Sequence, residues 1–140
     1  VGSAVGVIGA THTSLQDVVD DVALAGELWV RIDIDDAIDT AITLSKPRWR
    51  IDFKPGVVYS KVGGAPTKCL VLQAEGIEIN GGRFTGWTAG GDIAIEQQAA
   101  AEYCTVKGSR FGPSTDTEVD QSAVPAGKMG PVSDTITEVV

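Results

Sequence analysis

Ile77-Glu78-Ile79-Asn80-Gly81-Gly82-Arg83-Phe84 joins an alternating apolar strand to a glycine turn and one more apolar residue. The same figure stands 27 residues later in Cys104-Thr105-Val106-Lys107-Gly108-Ser109-Arg110-Phe111. It stands 26 residues earlier in Ile51-Asp52-Phe53, followed by Lys54-Pro55-Gly56 and Val57-Val58. A second series, Ile42-Thr43-Leu44, Leu70-Val71-Leu72 and Ile93-Ala94-Ile95, runs beside the first. Segments between the strands vary in length, which a solenoid tolerates because each coil only has to stack on its neighbours. The period contains no helix, and the consensus of a leucine-rich repeat is missing. An antiparallel sandwich would not need columns at a constant period.

The pattern predicts a mainly β protein, a short right-handed parallel β-helix of three to five coils with an N-terminal capping α-helix at about 14–25. Equivalent residues should stack: Ile51 with Ile77 and Cys104, Phe53 with Ile79 and Val106, Val58 with Phe84 and Phe111. Phe84 and Phe111 would then lie one strand spacing apart, ~4.8 Å. The helix is read from a Thr13-Ser14 cap, from Leu15, Val18, Val19 and Val22 at i, i+3, i+4 and i+7, and from Gly26 as its stop. It would cover the open N-terminal end of the coil, where strand edges would otherwise meet water. Residues 1–13 read as a lead-in cut from a longer chain, 14–112 as capping helix plus β-helix, and 113–140 as an extended segment that crosses to another subunit.

Composition agrees and narrows the function. The 140 residues include 17 glycines and carry a net charge of −8, which argues against nucleic-acid or anionic-membrane partners. No apolar run is long enough to span a bilayer. Two cysteines make neither a disulfide framework nor a zinc site, and the one histidine, His12, lies outside any Gly-x-Ser-x-Gly elbow. Cys104 is read as inward core filler and Cys69 as outward, both reduced. No cofactor is expected.

Four residue groups are candidates for chemistry or contact. Asp52 and Glu78, placed side by side on successive coils, have the residue types of a glycosidase pair. Outward strand positions are polar by default, so no catalytic residue is assigned. Glu75, Glu96 and Glu102 stand in turns where they would line a groove for sugar. Asp33, Asp35, Asp36 and Asp39 form the densest acid run, oxygen-rich enough to suggest Ca²⁺. It lacks the glycine and terminal Glu of an EF-hand, and no metal is assigned. Trp29, Trp49, Trp87, Tyr59 and Tyr103 are read as ligand or subunit contacts, because exposed aromatic surface asks to be covered.

The chain also resembles a family. Ala10-Thr11-His12-Thr13-Ser14-Leu15-Gln16 leads through the helix into Leu28–Ile32, then to Pro47-Arg48-Trp49-Arg50-Ile51-Asp52-Phe53-Lys54-Pro55-Gly56, and on to Gly76-Ile77-Glu78-Ile79-Asn80-Gly81-Gly82-Arg83-Phe84. Over residues 11–112 this is similar to the pectate-lyase-like β-helix domains of bacteriophage tail spike and tail fibre proteins. The resemblance implies a virion structural protein, a β-helical module of a tail spike, tail fibre or surface spike. Its role would be adhesive, toward host surface polysaccharide or other virion proteins. It would be assembled in the bacterial host cytoplasm, as a homotrimer. Polysaccharide-cleaving spikes stack many more coils, so the expectation leans away from an enzyme. The alternatives are a polysaccharide-degrading lyase or hydrolase on the same fold, and a secreted bacterial adhesin repeat.

Overall fold

A computed structural model describes residues 4–8, 12–24, 26–64 and 66–139; the rest of the lead-in lies outside them. The chain is a parallel β-solenoid. Strand β1 (Ala4–Ile8) and helix α1 (Leu15–Asp20) precede the coils. The first coil is β2 (Leu28–Ile32), β3 (Asp36–Ile38) and β4 (Ile42–Leu44), and the second β5 (Arg50–Phe53), β6 (Val58–Lys61) and β7 (Lys68–Leu72). The third is β8 (Glu78–Asn80), β9 (Arg83–Thr85) and β10 (Ile93–Gln97), and the fourth β11 (Thr105–Lys107), β12 (Arg110–Phe111) and β13 (Thr117–Asp120). Two short strands, β14 (Val132–Ser133) and β15 (Ile136–Thr137), begin a fifth. Each coil adds one strand to each of three sheets, ordered β1-β2-β5-β8-β11-β14, β3-β6-β9-β12-β15 and β4-β7-β10-β13.

Alternation within the strands builds the core. In the first sheet Val30, Ile51, Ile79 and Val106 form one inward column, and Leu28, Trp49, Ile77 and Cys104 the next. Ile51 therefore lies beside Ile79, not Ile77, a slip of two residues from the expected register. A slip of two keeps every side chain on its face, so apolar alternation cannot detect it. In the second sheet Tyr59, rather than Val58, stacks on Phe84, and Phe84 on Phe111. The last pair is parallel-stacked at 5.8 Å, as expected, while Phe53 meets Tyr59 and Phe84 edge to face at 5.0 and 5.7 Å. In the third sheet Ile42, Leu70, Ile95 and Val119 align.

The helix is shorter than the spacing predicts. Ser14 caps it by accepting the Asp17 N–H, and the chain leaves the helix at Asp21. Leu15 and Val18 are fully buried and α1 packs against β4 and β1, at the N-terminal end of the coil. Val22, the last member of the apolar repeat, is 95% exposed because it lies beyond the helix.

Residues 113–139 differ most from expectation. They do not begin a separate extended segment but carry the solenoid on, with β13, β14 and β15 pairing in parallel with β10, β11 and β12 of the same chain. Two of these strands are two residues long and exposed, too short and too polar to print a period on the sequence.

Candidate functional site

The outer face of the first sheet carries three of the candidate residues, Trp29, Asp52 and Glu78. Strand alternation turns Trp29, Arg31, Arg50, Asp52, Glu78 and Asn80 away from the core, and the register sets Trp29 beside Arg50, Arg50 beside Glu78, and Asp52 beside Asn80. Asp52 and Glu78 are thus not opposite each other. The two-residue slip puts an arginine next to Glu78 and an amide next to Asp52.

Asp52 is the hub of the face. Trp29 Nε1 donates to its Oδ2 at 2.6 Å, Asn80 Nδ2 to its Oδ1 at 2.8 Å, and Arg50 Nε to its Oδ1 at 3.1 Å. Burial by itself would raise the Asp52 carboxyl, but the bonds from Arg50, Asn80 and Trp29 outweigh it and hold the group below the usual carboxylate range. Arg50 also lies 5.0 Å from the centre of the Trp29 ring, a cation–π distance. A carboxylate so held stays charged at neutral pH and cannot serve there as the proton donor of an acid–base pair. The arrangement instead fixes an indole, a guanidinium, a carboxylate and an amide on a rigid sheet.

The remaining aromatic candidates separate by burial. Trp29 is 38% and Tyr103 56% exposed, whereas Trp49, Trp87 and Tyr59 are buried. Trp49 shares the inward parity of Ile51 and Phe53, and its Nε1 donates to the Gly26 carbonyl at 3.2 Å. Trp87 follows Gly86, whose φ of 83° turns the chain at the end of β9. Tyr59 belongs to the aromatic column, and burial pushes its phenol well up. These three serve the core and present no surface to a ligand or a subunit. Cys69, expected outward, is buried within Cys69-Leu70-Val71-Leu72, an unbroken apolar run that alternation does not resolve. Burial raises both the Cys69 and Cys104 thiols.

The acid run does not converge. Asp33 lies 3.5 Å from Arg31 Nη2, Asp35 accepts the Val58 N–H at 2.8 Å, and Asp39 is exposed. Asp36 is half-buried in register with Tyr59, and burial raises its carboxyl. Among the described residues no group of three or more His, Cys, Asp or Glu is placed to hold a metal ion. Of the acids expected in turns, Glu75 joins Glu27 on Arg48 and Glu102 pairs with Lys128, whereas Glu96 lies not in a turn but within β10, where it pairs with Lys68.

Two charged groupings went unread in the sequence. Lys61 takes an inward position after Tyr59, and its Nζ lies 2.8 Å from both oxygens of Asp92, with the side chains only 6% and 2% exposed. Arg83 and Arg110, neighbours on the second sheet, both reach Glu138. Arg83 could have been found as the recurring Arg-Phe of the repeat; its partner lies 55 residues away and could not. No helix among the described residues is long and apolar enough to cross a membrane. No family model, no curated protein and no solved structure matches the chain.

Proposed function

We propose that the protein is a non-catalytic adhesive module, a β-helical part of a phage tail spike, tail fibre or surface spike that works as a homotrimer in the virion. The observation that carries this reading is the Asp52 network on the outer face of the first sheet. A rigid solenoid that spends its best-placed carboxylate on three hydrogen bonds is built to present a surface. An exposed indole edged by a fixed carboxylate, an amide and a guanidinium suits a sugar, whose C–H face packs on an aromatic ring while its hydroxyls meet polar groups. The third sheet, four strands that carry none of these residues, leaves a separate face that three parallel solenoids can share around a threefold axis.

Incubation with capsular polysaccharide or lipopolysaccharide from candidate hosts tests the reading. Binding that Trp29→Ala weakens, with no new reducing ends or unsaturated uronates, is the expected result. Product formation would replace it with a lyase or hydrolase on the same fold. Sedimentation at micromolar concentration should give a trimer, and a monomer would remove that part of the proposal.

A further inference from the structure

At the corner between the first and second sheets the stacked column loses its side chains. Along the coils that column reads Ile32, Phe53, Gly81, Gly108, the last two standing one position beyond the paired strands. Gly81 and Gly82 have φ of 78° and 84°, and a Cβ on Gly82 would stand 3.1 Å from both the Phe53 and Phe84 rings. Glycine is therefore required here, and it leaves a groove of about 340 Å³ with a floor free of side chains. That volume is at the lower end of small-ligand clefts, ~300–1,000 Å³.

The lining restricts what such a ligand can be made of. Phe53, Pro55 and Val57 supply the apolar side chains, and the Phe53 ring is held edge to face by Tyr59 and Phe84. Among the described residues no hydroxyl, amide or carboxylate side chain lines the groove. Its backbone is already paired. The Gly81 and Gly108 N–H groups donate to the Lys107 and Ser133 carbonyls, while the carbonyls of Val57, Gly81 and Gly82 accept from the Arg83 N–H, Ser109 Oγ and the Arg110 N–H. A ligand body covered in hydroxyls would give up water there and gain few partners in return, which costs affinity. A flat hydrocarbon ring gives up nothing, and a floor without side chains admits one.

Charge is confined to one wall. The chain carries −8 overall, yet this lining holds two arginines, Arg83 and Arg110. Both already meet a carboxylate in the adjoining hollow, where Arg83 Nε lies 3.0 Å from both Glu138 oxygens and Arg110 Nη2 3.4 Å from Oε2. A guanidinium has five N–H donors, so Arg110 keeps most of its fork for a second carboxylate. We propose that this groove binds a small aromatic carboxylate, with its ring on the glycine floor beside Phe53 and its carboxylate on Arg110 and Arg83. The site is independent of the adhesive reading, since no lining residue belongs to the Trp29 network.

Calorimetric titration of the intact protein with naphthoate tests it. Naphthalenemethanol has the ring without the charge, and glucuronate has the charge without a flat apolar ring, so the two serve as controls. Naphthoate should bind at least about tenfold more tightly than either and should weaken as salt is raised. Arg110→Gln should abolish the advantage over the alcohol, and Arg110→Lys should restore only part of it. Glu138→Gln, which frees the fork of Arg83, should tighten naphthoate several-fold. In amide spectra of the isotope-labelled protein the naphthyl ring should shift Gly81, Gly82 and Gly108 most. Glucuronate binding as tightly would mean that the apolar floor selects nothing. The alcohol binding as tightly, or a preference untouched by Arg110→Gln, would mean that the arginines hold no carboxylate. Any of these results, the largest shifts elsewhere in the chain, or no binding at millimolar naphthoate would overturn the site.

Discussion

The second and third coils and the chain beyond residue 112 share one backbone plan and are held together by different forces. In the middle coils the inward columns are Ile, Phe, Tyr, Trp and Leu, with Phe84 buried among Phe53, Tyr59 and Phe111. Past Phe111 the apolar supply fails, and from Pro113 to Val139 Val124 is the one fully buried residue. Polar ties take over there. Gln121 Nε2 donates to the Gly130 carbonyl at 2.9 Å, Lys128 pairs with Glu102 at 3.0 Å, Glu118 accepts from Thr137, and Glu138 is gripped by Arg83. Parallel pairing copies the coil forward from its neighbour, and burial is needed only to make that copy stable. A solenoid can therefore end in a coil that has the geometry of the fold without its core.

Phe84→Ala tests the apolar half most directly. Removing a ring with three aromatic neighbours should cost ~3–5 kcal/mol in denaturant unfolding. A loss below about 1 kcal/mol would mean that the aromatic column does not hold the middle coils.

The buried ion pair is the next test, because it sets a charge inside the apolar half. Asp92→Leu leaves Lys61 buried without its counter-charge and should cost ~3–4 kcal/mol, whereas Lys61→Met with Asp92→Leu should cost less than either change alone. Additive losses in this double-mutant cycle would show that the two residues act independently, against the 2.8 Å geometry.

The slip between expected and actual register has the same origin as the contrast between the regions. Trp49-x-Ile51-x-Phe53 and Ile77-x-Ile79-x-Gly81 are both alternating, so hydrophobicity fixes which face is inward but not which residue meets which. The corner decides it: Lys54 to Val57 spans four residues, where Gly81-Gly82 suffices one coil later. The fold class and the outward placing of Trp29 and Asp52 were legible because they depend on parity alone, and the Phe84–Phe111 stack because the third and fourth coils turn this corner in the same number of residues, Gly81-Gly82 and Gly108-Ser109. Arg50 and Asn80 as partners of Asp52 were not, because they depend on register. Glu138 as partner of Arg83 was hidden further, in strands that carry no apolar pattern at all.

Gly130→Ala addresses the polar half through its backbone. A Cβ at this position would fall on the Cys104 carbonyl oxygen, which is backbone and cannot swing aside. The approach to β14 would have to shift, at a cost of ~1–3 kcal/mol. Amide exchange should quicken at Val106 and Gly108, which donate to the Pro131 and Ser133 carbonyls, and stay slow in the middle coils. Uniform quickening through Ile51 and Ile79 would mean that the last coil and the core unfold together, and that the two regions are one cooperative unit.

The smallest effect should belong to Glu138, and its signature is pH. The bond from Arg83 holds this carboxyl below its ordinary value, with further lowering from the Arg83 and Arg110 charges. A group whose folded pKa is depressed stabilises the folded state fully above its unfolded value, and that contribution is lost as pH falls through the folded one. Protection of the Ile136 and Glu138 amides, which donate to the Ser109 and Phe111 carbonyls, should therefore fade as pH drops below the Glu range. The fading should come earlier than the loss of the middle coils, which are held chiefly by apolar columns. Glu138→Gln should remove the pH dependence at these two amides and leave the global unfolding midpoint almost unmoved, since the ion pair is solvent-facing and such pairs contribute little. If the amides keep the same acid sensitivity in Glu138→Gln, the Arg83 grip does not hold the last strand, and the clasp must be sought in Glu118 and Thr137 instead.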